Sequence, residues 1–516
     1  MRYFKHLFLF FVCISCMPNI NAQWVTNHNP LFMPSVTKPA AYSSYTDPIF
    51  GTSVERISDC ISLGFDGVVP DYSKRQAWNA DESYLLLRSG TSDALLCNGN
   101  NYSFIKVLSG VAGEDVFWHP SDPNILYYNS DSILFSYTIS TDIATQVHAF
   151  TQYTWANTRG EGNMSYDGRY YAVVGQKYNY TTGDVVFKDI VVYDIQTNTE
   201  ISSMPIPQDS ISGFDWTSIS PLGNYVVVDY ADETTGRYHG VEVYDRNMNF
   251  IWQKPLGAGH SDLGLDGSGD EVLVMDVYNA DSNKTYLKKF RLSDGQETIL
   301  MEVSELFDLH ICLRNQQRHD WCFISTFDFT GRLTDDSLSW LPFEDEIFAL
   351  KLDGSGDVQR IAHHHSRRFS PSTYDPDHSV YWAEPHATVC RHGDCIIFGS
   401  NWRQNMTQQN SVDAYLVDFR NFVGMNELNQ PENKIDIFPN PAQDRAFVKL
   451  NIGNQNKVDL ELFDISGKKL LTISENIIDQ NNNLIELNIG AFSQGLYLCK
   501  VTTAENSYTK LLEKSW

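Results

Sequence analysis

Positive charge is scarce in this chain. Only 38 Lys and Arg stand against 64 Asp and Glu, a formal net charge of −26 at pH 7 over 516 residues. Such a surplus repels phosphate backbones and anionic lipid, so nucleic acid and anionic membranes are poor partners. Several catalytic signatures are also missing. There is no Gly-x-Ser-x-Gly elbow, no Walker phosphate loop and no His-Glu-x-x-His helix, which argues against a serine esterase, a P-loop enzyme or a zincin protease. Beyond the first residues no apolar run is long enough to span a bilayer.

What the N-terminus does carry is a basic start, the short apolar run Leu7–Cys16 and a small residue, Ala22. That pattern predicts a secretory signal peptide over residues 1–22. Cys16 leaves a lipoprotein reading open, although Cys13 stands where that signal prefers Leu.

Between about residue 70 and residue 400 one short phrase recurs seven times: a polar or His-bearing strand, a turn rich in Asp, Gly or Asn, then a strongly apolar strand. Examples are Asp115-Val-Phe-Trp-His119 before Ile-Leu-Tyr-Tyr, and His260-Ser-Asp262-Leu-Gly-Leu-Asp266-Gly267 before Glu-Val-Leu-Val-Met. Later copies are His310-Ile-Cys-Leu-Arg-Asn before Trp-Cys-Phe-Ile-Ser, and Glu384-Pro-His386-Ala-Thr-Val before Ile-Ile-Phe-Gly-Ser. A repeat of roughly 40 to 50 residues built from short strands predicts a β-propeller, here with seven blades over residues 23–425. A polar linker at 426–434 and a small C-terminal β-sandwich at 435–516 complete an all-β chain.

In a propeller the first strand of each blade lines the central channel, which would bring Gln76, Asp115, Glu161, Asp215, His260, Asp262, His310, Glu384 and His386 together. His260, His310 and His386 open consecutive blades. With Glu384 they make a candidate site for a divalent metal, the alternative being histidines that merely brace the channel. Arg237, Tyr238 and His239, in the outer part of the fourth blade, could supply a cation and a base. The run His363-His364-His365 with Arg367 and Arg368 reads as a basic loop over the channel mouth or a plain solvated loop. Asp266-Gly267-Ser-Gly-Asp270 resembles a calcium loop but sits where every repeat turns, so a tight turn is the better account.

Seven cysteines follow the leader: Cys60, Cys97, Cys312, Cys322, Cys390, Cys395 and Cys499. In an exported protein, Cys390 and Cys395 flank a four-residue turn and are expected to form a disulfide, as are Cys312 and Cys322. A zinc reading of Cys312 beside His310 stays open.

Two resemblances add to this reading. Phe438-Pro-Asn-Pro441, Asp464-Ile-Ser-Gly467-Lys, Gly495-Leu-Tyr497 and the basic last strand resemble the type A C-terminal sorting domain of the type IX secretion system. That implies a Bacteroidetes-type bacterium and delivery to the cell surface or the medium. The repeat phrases, above all Tyr381-Trp-Ala-Glu-Pro-His386-Ala-Thr-Val with Asn401-Trp402, resemble exported propellers related to oligogalacturonate and ulvan lyases. The resemblance implies a polysaccharide lyase cleaving a uronate polymer, ulvan- or pectate-like, by β-elimination; a monomer is expected. It further implies His310, His386 and Glu384 as ligands of a divalent ion (Ca, Mn or Zn), His260 as base and Arg237 as its cationic neighbour; Tyr238 or a water could then protonate the leaving oxygen. The family's Gln-x-x-His-x-His phrase is incomplete, since Glu384 stands near the Gln position and Thr388 replaces the second His. A non-catalytic glycan- or protein-binding propeller and a glycoside hydrolase, using Asp115, Glu161 or Asp215, are the alternative expectations.

Overall fold

The computed structural model of the chain describes residues 24–90, 93–111, 115–230, 236–328, 340–367, 383–402, 412–420, 435–450, 458–464, 468–475, 484–502 and 507–515. The expected signal peptide, Arg368, Tyr381, Trp382, Gly467 and the linker 426–434 lie outside these residues. The chain divides into two compact units, residues 1–422 and 423–516.

The described part of the first unit is built from seven antiparallel sheets. In the first six, four strands follow one another in chain order and in space. The fourth is typical: Trp216–Ile219, Tyr225–Asp229, Val241–Asp245 and Phe250–Lys254, each paired with the next. The turns follow local chemistry. Before Glu271–Asn279, for instance, the Asp266 carboxylate accepts from the amides of Ser268 and Asp270, the Asx-turn expected of an Asp-Gly-Ser-Gly-Asp stretch.

The second strands are nearly continuous apolar runs because both faces of each sheet are covered. Alternation sends successive side chains to opposite neighbours. Val226 and Val228 pack against the third sheet with Val174 and Ile190, whereas Val227 packs against the fifth with Leu273 and Phe290. Val272 and Val274 then face Ile311 and Ile324 of the sixth sheet. Each such buried side chain contributes about 1.5–3 kcal/mol, so a single polar substitution in these runs would disrupt two sheets at once.

The seventh sheet has five strands, and two come from the far end of the chain. Thr388–Val389, Cys395–Ser400 and Asp413–Asp418 are joined by Ser53–Arg56 and Ser43–Thr46, with Ser53 opposite Asp418 and Arg56 opposite Tyr415. The seventh sheet packs on the first, where Ile397 and Leu416 meet Leu85 and Leu87. The succession of sheets therefore returns on itself.

In the second unit, Ile435–Phe438, Arg445–Leu450 and Leu484–Asn488 form one sheet. Lys469–Glu475, Val458–Asp464, Gly495–Thr502 and Ser507–Lys514 form another. Alternate residues such as Leu460 and Leu462 are buried with Val448, Ile485 and Leu512 in one core.

Two expectations are corrected here. All seven described cysteines are free thiols. For Cys312 and Cys322 the reason is register: Cys312 lies opposite Phe323, so its neighbour Cys322 points to the other face of the sheet. Cys390 instead points its thiol at Asp394 Oδ1, 3.1 Å away, and its sulfur accepts from the Cys395 amide at 3.2 Å. His363, His364 and His365 are not a solvated loop. All three are buried where the strand Val358–His363 ends, with Phe50 beside His363 and Trp402 stacked on His365.

Candidate functional site

The inner strands bring the three predicted histidines into one row. His260 lies just before Asp262–Leu265, His310 sits within Phe307–Cys312, and His386 precedes Thr388–Val389. Ring centroids are 4.5 Å apart for His260 and His310, and 4.2 Å for His310 and His386. Tyr72 covers the inner two, at 5.6 Å from His310 and 5.3 Å from His386. His386 has φ of +41°, a left-handed conformation unusual for a residue with a side chain. Such strain persists where the surroundings fix a side chain for use.

Glu384 faces both inner histidines. Its Oε2 lies 3.7 Å from His310 Nε2 and 3.9 Å from His386 Nε2, and the donor atoms of the three residues lie within 4.8 Å of one another. Both ring nitrogens of His310 are buried without a hydrogen bond. Burial, with the neighbouring imidazoles adding to it, pushes the His310 pKa well below the usual histidine range. His386 is pushed down to about 3, again mainly by burial and then by His260. Both are therefore neutral imidazoles at working pH, the form that donates a lone pair.

His260 differs in exposure. Its side chain is 32 % exposed, and Nδ1 lies 2.8 Å from Asp308 Oδ1. Desolvation works against the imidazolium, but the hydrogen bond and charge of Asp308, aided by Asp276 and Glu384, raise its pKa above the ordinary value. Desolvation likewise opposes the Asp308 carboxylate, and the His260 contact outweighs it, holding that carboxyl low. The proton thus sits on Nδ1, and Nε2 is left to act as a base.

A second group centres on Lys74, which is buried yet ion-paired with Glu161 and lies 4.7 Å over the Trp216 ring. Asp215 is raised by burial and then by the charge of Glu161.

Other predicted residues serve the framework. Asp115 takes the Arg75 guanidinium at 2.7 Å, the Thr158 amide and hydroxyl, and the Tyr171 hydroxyl. Asp262 is bound twice by Arg314, and Gln76 donates to the carbonyls of Arg314 and Val389. These interactions tie neighbouring sheets together. Arg237 is committed to Glu242 at 2.9 Å and stacks 4.0 Å over Phe250 of the outermost strand. The Tyr238 amide donates to the same Glu242, and the His239 carbonyl accepts from Gln253.

Tyr72, Lys74, Asp276 and Asp308 were not expected from the sequence. Asp308 had a readable signal: two residues before His310 on one strand, it must share that residue's face. Lys74 and Tyr72 sit in an irregular stretch with no such periodicity.

No curated protein matches the chain. Residues 436–513 match the secretion system C-terminal sorting domain, which engages the type IX machinery. No helix among the described residues is long and apolar enough to cross a membrane. The second unit is thus a sorting tail, and the protein is delivered by type IX secretion to the cell surface or the extracellular space.

Proposed function

We propose that the first unit is a seven-bladed β-propeller, the tail a β-sandwich, and the whole a secreted polysaccharide lyase acting on a uronate polymer. Seven consecutive antiparallel sheets, with the seventh packed on the first, support the propeller reading. The observation that carries the lyase reading is the half-exposed His260–Asp308 pair beside the buried set His310, Glu384 and His386.

Two neutral imidazoles, one carboxylate and the orphaned nitrogens of His310 fit a divalent cation. Held by these residues, such an ion would supply the positive charge that neutralises a substrate carboxylate and acidifies the adjacent carbon. His260 Nε2 takes the C5 proton, the C–H electrons form the C4–C5 double bond, and the C4–O bond breaks. The departing oxygen takes a proton from water. Asp308 fixes the imidazole's tautomer and stabilises the imidazolium that forms. Arg237 has no part in this scheme, because its charge is already matched by Glu242.

One observation favours a hydrolase instead. Asp215, raised by burial and by Glu161, has the profile of a general acid beside a second carboxylate.

The test incubates the full-length protein with ulvan, pectate, alginate and glycosaminoglycans, with and without chelator. A rise in the ultraviolet absorbance of unsaturated uronate on one polymer, absent in His260→Ala, is the expected result. Reducing ends without that absorbance would replace the lyase by a hydrolase. Neither product on any polymer would leave a binding propeller.

A further inference from the structure

A second site lies toward the other ends of the same inner strands. Four residues separate His310 from Arg314 and five separate His386 from Arg391, so extended chain puts the two regions on the order of 10–15 Å apart. There a small cleft with about 50 Å³ of accessible space is lined by Gln76, Trp118, Tyr166, Arg314, Gln316 and Arg391, among others.

Its two arginines are in different states. Arg314 is neutralised by Asp262, with contacts of 2.8 and 3.1 Å. Arg391 is only 7 % exposed, and among the described residues no carboxylate pairs with it. Its Nη1 donates to a neutral group, Gln316 Oε1, at 2.9 Å, and its Nε makes no hydrogen bond. The nearby carboxylate of Glu82 is engaged by His392 at 2.9 Å. Burial lowers the Arg391 pKa; the charge of Glu82 works against this, and the like charge of Arg314 adds to it. A buried guanidinium is ordinarily matched by an anion, because an uncompensated charge in such a setting is costly.

From this cleft and a guanidinium that no carboxylate among the described residues contacts directly, we infer that Arg391 and Gln316 form a binding site for a small oxyanion, a sulfate, phosphate or carboxylate group. The Nε of Arg391, which makes no hydrogen bond, would complete with a neighbouring Nη a planar fork that suits two oxygens of such a group. Gln316, whose oxygen faces Arg391, retains amide hydrogens for a third contact. The acidic chain elsewhere keeps anions away, so this local cation selects a group small enough to enter the cleft. The site is independent of the proposed lyase chemistry.

Calorimetric titration of the full chain with sodium phosphate, sulfate and acetate, each at constant ionic strength against chloride, tests the inference. Saturable one-site binding of at least one anion is expected. Preference for sulfate or phosphate would point to a tetrahedral ester or free ion, and preference for acetate to a carboxylate. Gln316→Glu should abolish the binding, because it places an internal carboxylate on Arg391, and should raise the melting temperature without added anion. Arg391→Met should also abolish binding; should that variant not fold, Gln316→Glu decides alone. No saturable binding of any of the three, or binding undiminished in Gln316→Glu, would overturn the assignment.

Discussion

His260 Nδ1 lies 2.8 Å from Asp308 Oδ1, and this contact joins two inner strands of adjacent sheets at the exposed end of the histidine row. It separates His260 from its neighbours: His310 and His386 are buried and neutral, while His260 is reachable and basic.

On a responsive polymer, His260→Ala should reduce turnover by about 10²–10⁴-fold, the usual contribution of a general base. Asp308→Asn should cost less and act on turnover rather than on KM, since the side chain positions the base. Initial rates across substrate concentration separate the two effects. A KM change alone in Asp308→Asn would show that the pair merely binds.

Metal removal should lower the melting temperature of the wild-type protein but not of Glu384→Gln or His310→Ala. Saturating ion at 100 times its dissociation constant stabilises the fold by about 2.7 kcal/mol. Scanning calorimetry with and without chelator, followed by back-titration with Ca, Mn or Zn salts, reads this directly. Equal melting with and without chelator in the wild type would remove the metal from the proposed site.

Lys188 makes a separate prediction about pH. Burial, with Arg159 adding a like charge, lowers its pKa to about 8, and its ammonium lies 5.2 Å over the Phe214 ring. Below pH 8 both states hold the proton, so stability does not change with pH through this group. Between about pH 8 and the unfolded value near 10.4 the unfolded chain binds more protons, so stability rises with pH. Lys188→Met should therefore flatten that rise. Denaturant midpoints of both proteins at pH 7 and pH 9.5 check it.

Arg360 ties the start of the described chain to the sixth sheet. It is ion-paired with Glu346, both fully buried, and donates to the carbonyls of Asn27 and Asn29 at 3.1 and 2.6 Å. Arg360→Met should cost about 3–5 kcal/mol, because Glu346 would be left buried without its partner. The double variant Arg360→Met, Glu346→Leu should recover much of that loss. Thermal unfolding of the three proteins gives the comparison.

The second strands were readable because doubly covered sheets require runs such as Val226-Val-Val228, and His260, His310 and His386 were readable because they fall at equivalent repeat positions. The N-terminal strands were not. Ser43–Thr46 and Ser53–Arg56 are short and half polar, and their partner Asp413–Asp418 lies hundreds of residues away, which no local pattern records. The His363–His365 run misleads because a polar sequence reads as exposed, whereas all three side chains are buried. Asp47, Asp345 and Trp402 shield it, supplied by segments distant in the chain. By position Asp115 reads as a hydrolase carboxylate and Asp262 as a channel residue; only their arginine partners show them to be braces.

The pairing of Ser53–Arg56 with Asp413–Asp418 also sets an order of assembly. The earliest strands of the chain can find their place only after the last strand of the seventh sheet has been made. Until Ser53–Arg56 pairs with it, Asp413–Asp418 presents a bare edge of amides and carbonyls to any other chain. Contacts this remote in sequence form slowly, so the protein is most open to aggregation just before its two ends meet.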